Sequence, residues 1–375
     1  MSTQIYLWKK EPAACRRFRT GVSLHSHTLH SREYLSIIPQ CADRNRVLAW
    51  LVRREARRHG LRDIPREAIS RAWWTPPLSP LEALHLESSQ IENALHKRAL
   101  VSITDHDNIG AAAELHSAGD LAEVLSSTEW TVPYCGSWFH IGVHNMPPRA
   151  APALVESMNR YTGGGPDHLL SDLLHTIGQT PQALIVLNHP AWDSEAVGAE
   201  LHRFALDRFL SRYGSSIHAL EFNADRPWPE NQATLERARA LGIPVVAGGD
   251  RHGCHASPVV NLTDAGEFAS FAEEVRSGRS VIALLPRLFE SYRLRLLETA
   301  FDVLRDHPGH SRGWVRWSDR VFYTRHSGAA TSLSEMWGHR LPGAVRSLVG
   351  LMNALGGQSV RPALRWALAE KPVAL

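Results

Sequence analysis

The chain has 375 residues, a formal net charge of +3, 43% hydrophobic residues and 21% charged ones. These values suit a globular protein of one large domain or two modest ones, and no apolar run reaches the roughly 18 residues of a membrane span. Four cysteines (15, 41, 135 and 254) without a CxxC pair exclude a disulfide scaffold and a thiolate zinc site; with no signal-peptide core at the N-terminus, a cytoplasmic setting is expected.

In chain order, a short entry leads to a first strand ending at His25. RVLAWLVRREARRHG (46–60) and SPLEALHLESSQIENALHKRA (79–99) read as helices, the second opening on a Ser79-Pro80 cap with Glu82. Residues 31–97 are therefore expected as a helical insertion. Strand 100–104 and helix 109–118 follow, then strands 122–128 and 138–143, and a Gly/Pro loop before helix 167–178. Strand 183–188, a helix around 195–212, strand 217–222, helix 231–242 and strand 243–247 complete the run. Such alternation implies βαβ units and a parallel sheet or barrel. After residue 290 the chain is expected to be a helical, basic extension, with twelve Lys+Arg against six Asp+Glu over 291–375. Such a tail can contact phosphate-rich partners or simply pack on the main domain.

The 21 histidines are the compositional outlier. His25-Ser26-His27, TDHD (104–107), Glu129 in STEW, His140 in WFHIG, NHP (188–190) and GGDRH (248–252) nearly all stand at the ends of short apolar runs. Parallel strands are buried on both faces, so polar residues collect at their carboxyl ends. In an extended strand the side chains of His25 and His27 share one face. With Glu129 and Asp250 they form a mixed nitrogen and oxygen set suited to Mn²⁺, Fe²⁺ or Zn²⁺ rather than Ca²⁺. Glu129 can bridge to a second ion held by His140 and His189, leaving His106 and His252 for a third position or for substrate. Any one of these histidines alone also reads as a hydrogen-bonded core residue; the combination is what points to metal. His144 and His255 lie close to the motifs but outside them.

The ordered set HSHT, SITDHD, TEW, FHIG, LNHP and GGDRH resembles the polymerase and histidinol phosphatase (PHP) family of metal-dependent phosphoesterases, over about residues 21–285. The resemblance implies an α/β fold, a distorted (β/α)7 barrel of PHP type, over 1–290, with a two- or three-metal site at the strand ends. By position it implies that His25, His27, Glu129 and Asp250 hold one ion, that Glu129, His140 and His189 hold a second, and that His106 and His252 serve a third. The family's first motif usually runs HxH-[ST]-x-x-S-D-G, and Arg32 stands where that Asp would be; Ser23 likewise replaces an Asp before LHxH. Arginine cannot ligate a cation. Three outcomes are open: Glu33 substitutes by a one-residue shift, the third position is unused, or Arg32 binds substrate phosphate in place of that metal.

The expected activity is hydrolysis of a phosphate ester (a phosphomonoester, a nucleotide or a nucleic-acid end) by a metal-activated water. Candidate catalytic residues are His252, His106 and Asp250, with either imidazole able to protonate the leaving alkoxide where it does not hold metal. Candidate substrate contacts are Arg32, Arg226 and Arg251, and Trp192 and Trp228 are candidates for stacking or for loop packing. The alternatives are an amidohydrolase-like metal hydrolase, which the scarcity of lysines disfavours, and a non-catalytic metal-stabilised binding module.

Overall fold

The computed structural model describes residues 3–35, 72–119, 123–324, 328–338, 343–357 and 359–369. The helix expected over 46–60 lies outside these residues. The protein is a mixed α/β structure in which strands fall into three sheets. The first comprises β1 (Gln4–Leu7), β2 (Thr20–Ser23), β5 (Arg98–Val101), β11 (Val259–Thr263) and β12 (Val281–Leu284), in the order β1-β12-β11-β2-β5. The second comprises β6 (Ser126–Tyr134), β7 (Ser137–Met146), β8 (Leu184–Asn188), β9 (Ala219–Asn223) and β10 (Val245–Gly248), in the order β10-β9-β8-β7-β6.

Strands β8, β9 and β10 pair in parallel and every residue in them is buried, as their largely apolar runs require; Glu221 and Asn223 are the polar residues within β9. The expectation of a parallel sheet or barrel is corrected at β11, antiparallel to β2 and β12, at β7 and β8, and at β6 and β7, which form an antiparallel hairpin. Its turn is Cys135-Gly136, with φ of 49° and 78°. Two left-handed residues close a hairpin whose twist matches its strands, and so short a link leaves no room for a crossover helix. Glu129 and His140 therefore lie inside strands, not at their ends. Glu129 pairs with Gly142, two residues from His140, so the pleat turns both side chains to one face.

The two sheets do not join as one continuous closed ladder among the described residues. They meet along two seams, each marked by a single parallel bridge: Ser26 to Arg251 and His106 to Glu129. Around these bridges the His27 amide donates to the Arg251 carbonyl and the Asp107 amide to the Glu129 carbonyl, each at 2.9 Å. Val22, Leu24 and Leu100 from one sheet meet Leu184, Val186, Ala219 and Val246 from the other in a shared interior cluster. Phe268 and Phe271, on helix Phe268–Arg276, belong to the same cluster. Burying each is worth about 1.5–3 kcal/mol. A larger core, with Trp130, Phe209 and Phe222, lies between the second sheet and its helices.

The segments read from sequence as helical also contribute strands. β3 (Glu33–Tyr34) and β4 (Ala72–Trp74) come from the insertion, β13 (Val321–Thr324) and β14 (Ala330–Ser332) from the tail, and together they form the third sheet, β14-β13-β4-β3. The expected cap of the second insertion helix is present: Ser79 and Glu82 form a reciprocal capping box at the start of helix Pro80–Ser89. That helix ends in a π-turn, Gln90–Ala94, ahead of β5. No helix among the described residues is long and apolar enough to cross a membrane.

Candidate metal centre

The ligand-type residues converge where the two seams leave the regular ladders. Three of them hold left-handed backbone conformations: His25 at φ 62°, His189 at 27° and Asp250 at 49°. For residues with a Cβ this is a strained region, costing of order 1–3 kcal/mol each, and such strain concentrates at functional sites. It also corrects the expectation for His25 and His27. β2 stops at Ser23, so strand alternation does not align the two imidazoles; the left-handed turn at His25 does.

His25 Nε2 lies 3.1 Å from Glu129 Oε2 and 3.4 Å from Asp250 Oδ1; His27 Nε2 lies 3.3 and 3.4 Å from the same two oxygens. The two imidazole nitrogens are 3.1 Å apart. Ligands at about 2.0–2.2 Å in a tetrahedral array stand about 3.3–3.6 Å from one another, and these four atoms, at or slightly inside that spacing, form a group that could hold a small divalent ion. The other Glu129 oxygen, Oε1, is 3.1 Å from His189 Nε2 and 3.5 Å from His140 Nδ1, which are themselves 3.4 Å apart. A third group gathers on Glu33. Its Oε1 is 3.2 Å from His252 Nε2 and its Oε2 is 3.5 Å from His106 Nε2. His27 belongs to both the first and the third group.

Glu129 Oε2 is buried and has no hydrogen-bond partner, although the nitrogens of His25, His27 and His106 stand 3.1–3.4 Å away. Lone pairs from several sides facing one point are what a cation requires, and the donor set fits a divalent metal. The electrostatics agree. Burial disfavours the charged carboxylates of Glu129, Glu33 and Asp250, yet the surrounding imidazoles hold all three well below the usual range. Burial likewise disfavours charge on His25, but Glu129, Glu221 and Asp250 outweigh it and raise its pKa well above 6.5. Against the same opposition from burial, Glu33 leads in lifting His106 to about 10 and His252 to about 9. His140, where burial prevails, is pushed down to about 3.

The outer residues explain how the inner ones are aimed, and most were not singled out from sequence. Glu221, a lone acid inside the buried run of β9, places Oε1 2.6 Å from His25 Nδ1. Its Oε2 accepts from the His189 amide at 3.0 Å and from Asn223 Nδ2 at 2.7 Å. Carboxylates in this position fix a ligand imidazole's orientation and raise its basicity. Gly248 makes room for it, since a Cβ there would lie 1.6 Å from Glu221 Oε1. The two acids of TDHD brace neighbouring motifs: Asp105 accepts from the Thr28 amide and hydroxyl, and Asp107 from those of Thr131. A lone carboxylate in an apolar strand was the available signal for Glu221.

The structure places the three arginines differently. Arg226 stands at the rim, its guanidinium carbon 3.8 Å from the Trp192 ring centroid and Nη2 3.7 Å from Asp250 Oδ2. Arg32 turns outward, 5.0 Å from the Trp73 ring centroid. Arg251 is buried, with its guanidinium committed to Glu87 and to the carbonyls of Gly253 and His27. Trp192 packs beside His189, while Trp228 packs on Phe222. His144 is a core residue bonded to Ser102 Oγ, and His255 pairs with Asp302.

No protein-family description matches the chain, and no curated protein does. Among solved structures, an amidohydrolase from Chromobacterium violaceum, with bound sulfate and no metal, aligns at 14% identity over 47% of this chain and 83% of its own, with a TM-score of 0.33. PsfC from Pseudomonas syringae aligns at 16% identity over 58% and 87%, with a TM-score of 0.40. A candidate metal-dependent phosphoesterase from Bifidobacterium adolescentis aligns at 15% over 48% and 84%, with a TM-score of 0.31. These likenesses assign no family. What the chain does rests on its own side chains.

Proposed function

We propose that this chain is a metal-dependent phosphoesterase that uses two or three divalent ions, Mn²⁺, Fe²⁺ or Zn²⁺, to hydrolyse a small phosphate ester or nucleotide. The observation that carries the reading is Glu129, whose two oxygens face two separate imidazole sets. His25, His27, Asp250 and Glu129 would hold one ion, and His140, His189 and Glu129 a second. When bound, such ions supply Lewis acidity and a nucleophile at neutral pH. A third ion would sit on Glu33, His106 and His252, the one-residue shift making good the missing Asp. The crossed hydrogen bonds at both seams and the interior shared by both sheets support a distorted (β/α)7 barrel, split at its metal ligands.

The chain's own residues account for the rest. Arg226 offers guanidinium donors beside Asp250, where a phosphate oxygen can accept them in pairs. Trp192 holds that guanidinium in place and excludes water from one side. In the metal-free protein, against burial, Glu33 leads in raising the pKa of His106 and His252; whichever of the two holds no metal would stand ready to hand a proton to the leaving alkoxide. Among the described residues the amidohydrolase alternative finds no lysine to carry it: Lys97 Nζ donates to the Phe18 carbonyl, and Lys9 and Lys10 are exposed. The unpaired cysteines 15, 135 and 254 support the cytoplasmic setting.

The test is hydrolysis of an aryl phosphate with added Mn²⁺. Asp250→Asn and His25→Ala are each expected to lower turnover by more than about 100-fold, beyond the usual effect of removing an outer-shell partner. Wild-type rates in either variant would refute the site; a metal-loaded wild type without turnover would leave the binding module.

A further inference from the structure

We infer that Glu87 and Arg251 are a positioning pair through which the insertion helix sets the geometry of the metal ligands; this rests on the metal centre proposed above, though not on its substrate. Arg251 lies between Asp250 and His252 in the chain, and its side chain is 3% exposed. The guanidinium donates from Nη2 to the His27 carbonyl at 2.9 Å and from Nη1 to the Gly253 carbonyl at 2.8 Å. Its Nε is 3.1 Å from Glu87 Oε1. One planar cation thus ties the His25–His27 turn to the Asp250–Gly253 loop, across the seam where the two sheets meet. The backbone repeats the tie, since the His27 amide donates to the Arg251 carbonyl.

Glu87 is fully buried on helix Pro80–Ser89 and is itself held from two sides. Ser23 Oγ donates to Oε2 at 2.9 Å, and the Ser257 amide reaches both oxygens at 3.2 Å. Ser23 ends β2 just before His25, and Ser257 follows the Asp250 loop, so the carboxylate touches both ligand-bearing segments as well. On its other flank the loop is fixed by the tail: the Cys254 amide donates to Asp302 Oδ2 at 2.8 Å, and a Cβ on Gly253 would lie 2.9 Å from that oxygen.

Stability alone does not call for this pair. Two buried charges lose hydration that their attraction only roughly repays, and a well-packed apolar pair of similar volume is often as stable or more so. What an apolar pair cannot do is hold the His27 carbonyl and the Asp250–Gly253 loop at a fixed separation. His27 and Asp250 serve the first ligand set, and His27 and His252 the third; His140 and His189 are untouched by the clamp. Its loss should therefore be selective.

Wild type, Arg251→Lys and the double variant Glu87→Met/Arg251→Met would be titrated with Mn²⁺ by calorimetry, counted for bound ions by elemental analysis, and melted. Lysine keeps the charge but cannot donate to both carbonyls from a planar fork while pairing with Glu87. Both variants are expected to bind at least about tenfold more weakly at the His25–His27–Asp250 position while keeping one tightly held ion. The double variant should melt close to wild type, which separates a positioning role from a structural one. Wild-type affinity and ion count in a double variant that melts normally would overturn the inference; if the double variant does not fold, the same result in Arg251→Lys would. A wild type that binds no Mn²⁺ would instead bring down the metal centre itself.

Discussion

His25 carries the densest set of obligations in the molecule. Its Nε2 faces Glu129 and Asp250, its Nδ1 faces Glu221, and its backbone is left-handed. Replacing Glu221 with Gln keeps the shape but removes the charge that orients and enriches the imidazole. Metal affinity is expected to fall about 10–100-fold with little change in fold. Titration calorimetry reads this directly, and an unchanged affinity would mean that Glu221 merely fills space. The protonation of the imidazoles gives a second expectation. In the metal-free protein His106 and His252 bind protons up to about pH 10 and 9, because Glu33 favours their charged forms once burial has been overcome. Those raised values favour the metal-free fold below pH 6.5, an advantage lost as pH rises through 9 to 10. A metal that engages these imidazoles must displace their protons, so uptake at pH 7 should release protons and affinity should rise with pH. Calorimetry in buffers of differing ionisation enthalpy measures that release; none, with three ions bound, would contradict the arrangement.

At the scale of elements, what the sequence disclosed followed from burial. Strands β8, β9 and β10 were legible because a buried parallel strand must be apolar on both faces, and the capped helix Pro80–Ser89 because its cap uses local side chains. That the motif residues would gather was legible because several apolar runs stop on His, Asp or Glu, although Glu129 and His140 turn out to lie inside their strands. The β6–β7 hairpin was not, since nothing in Cys135-Gly136 announces a two-residue turn as Asn-Gly would. The third sheet was hidden for a different reason: β3 has two residues and β4 three, too short to show any period. Nor does hydrophobic pattern reveal where a buried acid such as Glu221 or Glu87 will find its partner. One histidine outside every motif has a measurable role in holding strands together. His218 Nδ1 accepts from the Ile185 amide at 3.0 Å, and burial, with Arg276 adding to it, lowers its pKa to about 4. A depressed histidine stabilises the fold above its unfolded pKa of 6.5 and loses that contribution as pH falls toward 4. His218→Asn is expected to flatten the melting temperature between pH 6.5 and 4; an unchanged slope would show that other groups govern acid stability.

Across the described residues, the parts of the insertion and of the tail that flank the candidate metal centre share one sheet beside it. β4 pairs with β13, Trp74 comes within 5.8 Å of the His252 ring, and Asp302 grips the loop that carries Asp250. Among the described residues, several of the tail's cations are engaged within the fold. Arg312 pairs with Glu114, Arg361 with Glu290 and Glu298, and Arg365 with Glu290, while Arg320 is buried against the carbonyls of Val303 and Arg305. Those pairings favour packing over nucleic-acid contact as the tail's purpose. Of the three arginines first singled out, Arg226 is the one whose guanidinium stands beside a carboxylate of the first ligand set, 3.7 Å from Asp250 Oδ2, which favours a compact phosphate over a long polyanion. The most direct measurement is therefore elemental analysis of the purified protein, paired with its rates on an aryl phosphate and a bis-aryl phosphate in Mn²⁺. Two or three bound ions and faster turnover of the monoester are expected. Protein that retains no divalent metal under saturating Mn²⁺, or that holds it and hydrolyses neither ester, would contradict the account.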